Sequence, residues 1–176
     1  MELIPLSLKD AFLVKLFRQQ DERGLFFKPF HETSLAKYGI AFEPKESICS
    51  VSKKNVLRGM HFQQAPHEQA KLVYCPYGAI LDVILDMRPR SETYGRFEAV
   101  ELSAQNGHSL YIPEGFAHGF LALTDDAMTS YLLSALYHPQ ADTGILWNSF
   151  GFEWPVENPI LSERDLGFEK FNRVEN

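Results

Sequence analysis

The chain has 176 residues, of which 45% are hydrophobic and 23% charged, and this balance suits one compact domain, residues 1–176, with a sizeable core. Its formal net charge of -6 argues against a nucleic acid or an anionic membrane as partner, because both need a basic face. The apolar N-terminal stretch carries Asp10 and two lysines without a cleavage signal, and no later segment approaches a membrane span. We therefore expect a cytoplasmic protein.

Short strands dominate the predicted elements. Helical turns are expected only at 8–12, 31–39 and 162–171, where Ser162 fits an N-cap. Residues 57–64 read as a buried strand, and 71–89 as a hairpin that turns at 76–78. Glycine, asparagine, aspartate or proline separates the remaining predicted strands, which are 95–103, 108–113, 119–124 and 128–137. Several short strands at this spacing predict an all-β sandwich or barrel.

Arg58 and His61 are costly side chains in the middle of the predicted strand LRGMHFQQ. A regular strand would point residues three apart to opposite faces. Gly59 lies between them and would permit a β-bulge. We therefore expect a bulge that turns both side chains inward.

The segment GHSLYIPEGFAHG, residues 107–119, fits the second cupin motif. A strand that ends at Pro113 and turns at Gly115 would bring His118 back along the next strand toward the interior. This pattern predicts a double-stranded β-helix, or jelly roll. Metal-binding cupins also need a His-x-His and a carboxylate, and the chain has no His-x-His, so we expect no metal.

Five matches to a known family occur in order along the chain: LRGMHFQ, the downstream Lys71, IPEGFAHGF, Tyr131 and the terminal LSERD. Together they resemble the RmlC family, the dTDP-4-dehydrorhamnose 3,5-epimerases. The resemblance runs from DERGLFF (21–27) to SERD (162–165). It implies an RmlC-like cupin jelly roll with a few short helices, acting on a nucleotide-linked 4-keto-6-deoxyhexose without a cofactor.

The resemblance also implies catalytic roles. The sugar hydrogens at C3 and C5 are adjacent to the C4 carbonyl, so the enzyme needs a base, an enolate stabiliser and an acid on the opposite face. His61 would be the base, and Asp165 would hold its imidazole. Lys71, together with His118, would stabilise the oxyanion at C4. Tyr131 would return the proton, with Tyr137 as a competitor for that role.

Substrate binding is implied for a second group of residues. Arg58 and Arg23 would hold the diphosphate, because a planar guanidinium suits anionic oxygens. In the family an aromatic side chain at the position of Tyr137 stacks on the nucleotide. The remaining binding candidates at family positions are Phe26, Lys28, Glu46, Asp142 and Arg164.

The resemblance implies a homodimer in which the N-terminal segment joins the neighbour's sheet. Arg23, Phe26 and Lys28 would then serve the pocket of the partner subunit. The family usually has a glutamate at the position of Lys28 and a glutamine at that of Glu46. Lysine offers only donors, which suit the N3 and O2 acceptors of cytosine, and this makes cytidine the leading candidate base. The alternative is that Lys28 and Glu46 simply pair with each other.

Two other functions stay open at this point. One is a related 3,4-ketoisomerase, which would need a differently placed pair of histidines. The other is a non-catalytic sugar-binding cupin that kept the pocket.

Asp82 and Asp86 lie four apart on one predicted strand face, where salt bridges with Arg88 or Lys71 explain them. The sequence does not decide whether C3, C5 or both are inverted, or which deoxysugar results.

Overall fold

Antiparallel strands make up most of the computed structural model, which describes residues 1–173. The two short helices are α1 (Glu32–Ala36) and α2 (Glu163–Leu166). The strands are β1 (Glu2–Pro5), β2 (Phe12–Lys15), β3 (Phe17–Asp21), β4 (Gly24–Lys28), β5 (Glu46–Ser52), β6 (Leu57–Gln63), β7 (Lys71–Tyr77), β8 (Ala79–Asp86), β9 (Phe97–Ser103), β10 (His108–Ile112), β11 (Phe116–Ala122), β12 (Ala127–Leu133) and β13 (Asp142–Gly144). Neither helix is long and apolar enough to cross a membrane.

Two sheets form the body of the domain. One has six strands in the order β1-β2-β10-β7-β12-β5, and the other has five in the order β13-β6-β11-β8-β9. Their inward side chains share one core, to which Val73 and Leu110 come from the first sheet and Ile84 and Phe120 from the second. Because strand side chains alternate, each sheet also has an outer apolar face with its own cluster. The predicted jelly-roll sandwich is confirmed.

Most of the local predictions are confirmed as well. The strands predicted after residue 94 correspond to β9, β10, β11 and β12, and the helical turns at 31–39 and 162–171 contain α1 and α2. Ser162 caps α2, since its side chain accepts a hydrogen bond from the backbone amide of Asp165 at 3.1 Å. These elements depend on short-range patterns, which a single sequence carries.

The predicted hairpin at 71–89 is wrong, although both of its strands exist. β7 pairs with β10 and β12, whereas β8 pairs with β9 and β11 in the other sheet. Gly78 has a φ of +75° and forms a corner between the sheets, where Thr124 and Ala127 leave no room for a side chain. Turn residues mark where the chain changes direction, but long-range pairing decides which strands become neighbours.

The helical turn expected at 8–12 is also wrong. A single turn closes between Leu8 and Ala11, and Phe12 already begins β2. Strand β2 is held on one side by β1 and on the other by β10. Tertiary pairing therefore overrides the weak helical tendency of this segment.

The predicted bulge in β6 is confirmed. His61 pairs with His118 and Arg58 pairs with Phe120, so β6 has one residue more than β11 between these two pairs. Gly59 has a φ of +143°, and a Cβ atom there would lie 2.5 Å from the Cα of Gly119. The extra residue brings Arg58 and His61 to the same cavity.

Candidate active site

A cavity of about 260 Å³ opens between the two sheets. The five-stranded sheet contributes Arg58 and His61 from β6 and His118 from β11. The six-stranded sheet contributes Lys71 from β7 and Tyr131 from β12. The other lining residues are Glu46, Ile48, Cys49, Ser50, Phe62, Gln63, Gln69, Leu133, Tyr137 and Asp142. Because ionisable groups lie on both walls, they can contact a bound molecule from two opposite faces.

His61 and Asp165 form a dyad at the wall made by β6. The Nε2 atom of His61 lies 2.8 Å from Oδ1 of Asp165, whose side chain is buried at the start of α2. The second oxygen of Asp165 accepts the backbone amide of Gly59 at 3.1 Å. With Nε2 bonded to the carboxylate, Nδ1 of His61 is the nitrogen available to take a proton.

The carboxyl group of Asp165 is well suited to remain ionised. Burial by itself would raise the pKa of Asp165, but hydrogen bonds from His61, Gly59 and Ser162 together bring that pKa below its ordinary value. An ionised carboxylate favours the tautomer of His61 that carries its proton on Nε2. It also stabilises the imidazolium that forms when the ring accepts a second proton.

A second dyad, which the sequence analysis missed, joins His118 to Asp82. The Nε2 atom of His118 lies 2.9 Å from both carboxylate oxygens of Asp82, and both side chains are buried. Burial lowers the pKa of His118 more than Asp82 raises it, so the imidazole is neutral near pH 7. The sequence signal that could have revealed this dyad is the position of Asp82 in its strand. Asp82 alternates with the core residues Ile80 and Ile84, so its carboxylate points into the core, and a buried carboxylate requires a partner.

Asp86, the other carboxylate in this strand, lies outside the cavity lining. It pairs with Arg88 at 2.9 Å and accepts bonds from Ser91 and Thr93. The salt bridge to Arg88 is therefore confirmed for Asp86, whereas Asp82 bonds to a histidine instead.

Lys71 is a buried cation beside the first dyad. Its Nζ atom donates to the backbone carbonyl of His61 at 3.4 Å. Burial lowers the pKa of Lys71 from 10.5 to about 8, against the opposing effect of the negative charges of Asp82 and Asp142. The ammonium form is thus present at neutral pH and is lost as the pH rises through about 8.

Tyr131 lies on the opposite wall, with its ring edge-on to His118 at a centroid distance of 5.8 Å. Burial raises the pKa of Tyr131 well above 10, the charge of Asp82 adds to this effect, and Arg58 opposes it. The phenol is therefore neutral and can donate a proton. The competitor Tyr137 is 56% exposed and lies at the rim.

The structure does not bring every predicted binding residue to this cavity. Arg23, Phe26 and Lys28 belong to the β3–β4 hairpin, and none of them lines the cavity of their own chain. Arg23 pairs with Asp21 at 2.6 Å within that hairpin.

The other binding candidates lie at or near the cavity wall. Glu46 accepts the backbone amide of Tyr137 at 2.7 Å, and Asp142 pairs with Arg164 at 2.8 Å. Nε of Arg58 donates to Ser52 at 3.2 Å, and in the described chain its guanidinium has no carboxylate partner. Among residues 1–173, no three His, Cys, Asp or Glu side chains converge in a group that could hold a metal ion.

The cavity, the two dyads and the sandwich can be compared with known proteins. A family model described as dTDP-4-dehydrorhamnose 3,5-epimerase matches residues 5–173. The chain belongs to the dTDP-4-dehydrorhamnose 3,5-epimerase family. The family member from Shigella flexneri is 40% identical over 174 residues, which span 97% of this chain and 96% of that protein.

Solved structures of family members superpose closely. The dTDP-4-dehydrorhamnose 3,5-epimerase of Bacillus anthracis, with TDP and PPi bound, has a TM-score of 0.93 at 34% identity, covering 97% of this chain and 99% of that one. A 3'-monoepimerase from Streptomyces bikiniensis, in complex with dTDP-quinovose, has a TM-score of 0.88 at 34% identity and covers 94% and 86% of the two chains. Both single and double epimerases therefore resemble this fold.

The environment of Lys71 in this family member predicts a measurable titration. NMR of the lysine Cε and Nζ signals should give a midpoint of about 8 for Lys71, because burial disfavours its ammonium form. Asp82→Asn should move the midpoint to lower pH, because it removes a negative charge that stabilises the ammonium.

The matched control is Glu101→Gln, which neutralises an exposed carboxylate on edge strand β9 and should leave the midpoint unchanged. A wild-type midpoint near 10.5, or no response to Asp82→Asn, would contradict this account.

Proposed function

We propose that the protein inverts C3, C5 or both of a nucleotide-linked 4-keto-6-deoxyhexose through an enolate. The observation that carries this proposal is the His61–Asp165 dyad, which faces the same cavity as Lys71 and Tyr131. Membership in the epimerase family supports it. A cytoplasmic location stays a prediction from the sequence.

His61 is the base in this mechanism. A hydrogen at C3 or C5 is acidic because the C4 carbonyl stabilises the carbanion as an enolate. Nδ1 of His61 accepts this proton, since Nε2 is bonded to Asp165. The ionised Asp165 then stabilises the imidazolium, which lowers the barrier to proton transfer.

Lys71 stabilises the negative charge that develops on the C4 oxygen. Its ammonium lies in a buried position, where electrostatic attraction is stronger than in water. His118 is less suited to this role, because its Nε2 proton is directed to Asp82. Below a pH of about 8 Lys71 is charged, and catalysis should weaken as the pH rises through that value.

Tyr131 returns the proton from the other side. It belongs to the six-stranded sheet and His61 to the five-stranded sheet, so the two can address opposite faces of the sugar ring. Its raised pKa keeps the phenol protonated until the enolate forms. Abstraction from one face and return to the other inverts the carbon. Arg58 binds the diphosphate, and Tyr137 at the rim stacks on the base.

Deuterium exchange tests this function directly. In D₂O with a 4-keto-6-deoxy sugar nucleotide, the wild type should incorporate deuterium at C3 or C5, as seen by NMR. His61→Asn should slow this exchange by roughly 10²–10⁴-fold, because the base is lost. Asp165→Asn should also slow it, since the imidazole loses its orienting partner. Tyr131→Phe should keep part of the exchange but epimerise poorly, because the acid acts after the enolate forms.

The control for this series is His31→Asn, at the N-cap of α1 and outside the cavity, which should behave as the wild type. Rapid exchange in His61→Asn would refute the proposal. A product with its keto group moved to C3 would indicate the ketoisomerase instead. Binding without any exchange in the wild type would indicate the non-catalytic sugar-binding cupin.

The choice between thymidine and cytidine as the nucleotide rests on a different observation. The cytidine hypothesis uses Glu46 as the acceptor for the cytosine amine. One oxygen of this carboxylate, Oε2, already accepts the backbone amide of Tyr137 at 2.7 Å, which supports a structural role for Glu46 at the rim. The Bacillus anthracis relative binds TDP. We propose a thymidine nucleotide in place of cytidine.

Steady-state kinetics with dTDP-linked and CDP-linked 4-keto-6-deoxyglucose will test the choice of base. We expect kcat/KM to be at least about tenfold higher for the dTDP form, the effect of one well-placed hydrogen bond to the base. Lys28→Met should change both values alike if Lys28 does not contact the base. A clear preference for the CDP form would restore the cytidine hypothesis.

A homodimer with exchanged hairpins is the assembly we propose. The β3–β4 hairpin forms a sheet of its own and exposes Phe17 and Phe26, by 46% and 57%. Strand β5 is an edge of the six-stranded sheet, and Val51 on it is 54% exposed. Unpaired edges and exposed aromatic side chains favour pairing with another chain. The hairpin would carry Arg23 and Lys28 to the partner's cavity.

Subunit mixing will test this assembly. The Arg23→Ala homodimer should be impaired at both of its active sites. The His61→Asn homodimer should be inactive at both of its active sites. After mixing and subunit exchange, about half of the dimers are mixed, and each contains one intact site, so about a quarter of the wild-type activity should return. Asp165→Asn mixed with His61→Asn should restore nothing, because both residues belong to the same chain's dyad. A fully active monomer in sedimentation would refute the proposal.

A further inference from the structure

Among residues 1–173, the hydrogen bond to Asp165 is the one that holds the side chain of His61. A single bond to Nε2 fixes the position of that nitrogen but leaves the ring plane able to turn about the bond. The ring has a second neighbour in Phe168, which meets it edge-to-face at a centroid distance of 5.7 Å and an interplanar angle of 72°. Edge-to-face aromatic pairs have a preferred orientation, so this contact restrains the plane of the imidazole.

Phe168 is itself fixed on two further sides. Gly144 lies opposite His61 in the β13–β6 ladder, and a Cβ atom on it would lie 2.5 Å from Cε2 of Phe168. The guanidinium of Arg164 lies 5.3 Å from the centre of the Phe168 ring. Asp142 holds that guanidinium by an ion pair of 2.8 Å.

Helix α2 thus controls His61 through two consecutive residues. Asp165 bonds to Nε2 of the imidazole, and Arg164 packs on the phenyl ring that supports the imidazole. This arrangement gives Arg164 and Asp142 a structural role, since each engages the other in an ion pair. Phe168 does not line the cavity that holds the candidate catalytic groups.

We propose that Phe168 is a positioning residue for the base His61, with Gly144 and Arg164 keeping its ring in place. The inference rests on the proposed function, because Phe168 affects catalysis only if His61 is the catalytic base. The supported imidazole presents Nδ1 to the substrate in one orientation. Without the phenyl ring, the imidazole rotates about its bond to Asp165 and spends less time in the reactive orientation. The loss falls on kcat, because Phe168 does not touch the substrate.

The test compares Phe168→Leu with Phe171→Leu, a matched change three residues further along, where the phenyl ring packs against Tyr94 instead. Phe168→Leu should lower kcat and the deuterium exchange rate about tenfold, with KM changed less than about twofold. Phe171→Leu should leave kcat at the wild-type level. Thermal unfolding will show that the variants compared are folded.

A second readout does not depend on catalysis. Nitrogen-15 NMR of the free protein should show His61 with its proton on Nε2 in one well-defined environment, and Phe168→Leu should broaden or shift these ring signals while Phe171→Leu does not. Unchanged ring signals and unchanged kcat in Phe168→Leu would overturn the inference, as would an equal loss in Phe171→Leu. If the wild type shows no exchange on the sugar nucleotide, the proposed function fails, and the NMR comparison still decides whether Phe168 orients His61.

Discussion

The buried carboxylate of Asp165 connects the parts of the site to one another. One oxygen accepts from His61 and the other from the backbone amide of Gly59, while Ser162 caps the helix that carries it. A buried charge is tolerated only when its hydrogen-bonding capacity is used, so these bonds form together. The same group therefore anchors the bulge in β6, the start of α2 and the orientation of the imidazole.

The cavity combines this dyad with charges that a low-dielectric interior makes effective. Lys71 keeps its proton at neutral pH partly because Asp82 and Asp142 oppose the effect of burial. Asp82 also fixes His118, whose ring supports Tyr131 from the side. The protonated phenol of Tyr131, the neutral imidazole of His118 and the buried ammonium of Lys71 thus line one small cavity. Their different protonation states come from their neighbours, as proton-transfer chemistry requires.

Sequence patterns predicted the bulge in β6 better than they predicted strand pairing. The glycine between Arg58 and His61 indicated a bulge, and the structure contains one. The turn residues at 76–78 indicated a hairpin, yet β7 and β8 lie in different sheets. A bulge is a local property of a few residues. Which strands become neighbours depends instead on the contacts summed over the whole chain. The pairing of Asp82 with His118 was missed for the same reason, since 36 residues separate them.

The sequence by itself determined the kind of protein: a strand-rich fold with a cupin motif, and with histidine, tyrosine, lysine and aspartate residues at positions that match one epimerase family. These features are written in residue types and short spacings, which need no partner elsewhere in the chain to be recognised. Only the tertiary structure decided that Asp165 and Gly59 share a bond, that the ring of Phe168 packs edge-to-face against His61, and that Arg23, Phe26 and Lys28 lie away from their own chain's cavity. Such contacts depend on how two sheets and a terminal helix pack together, and that packing is set by burial and hydrogen bonding summed over distant segments.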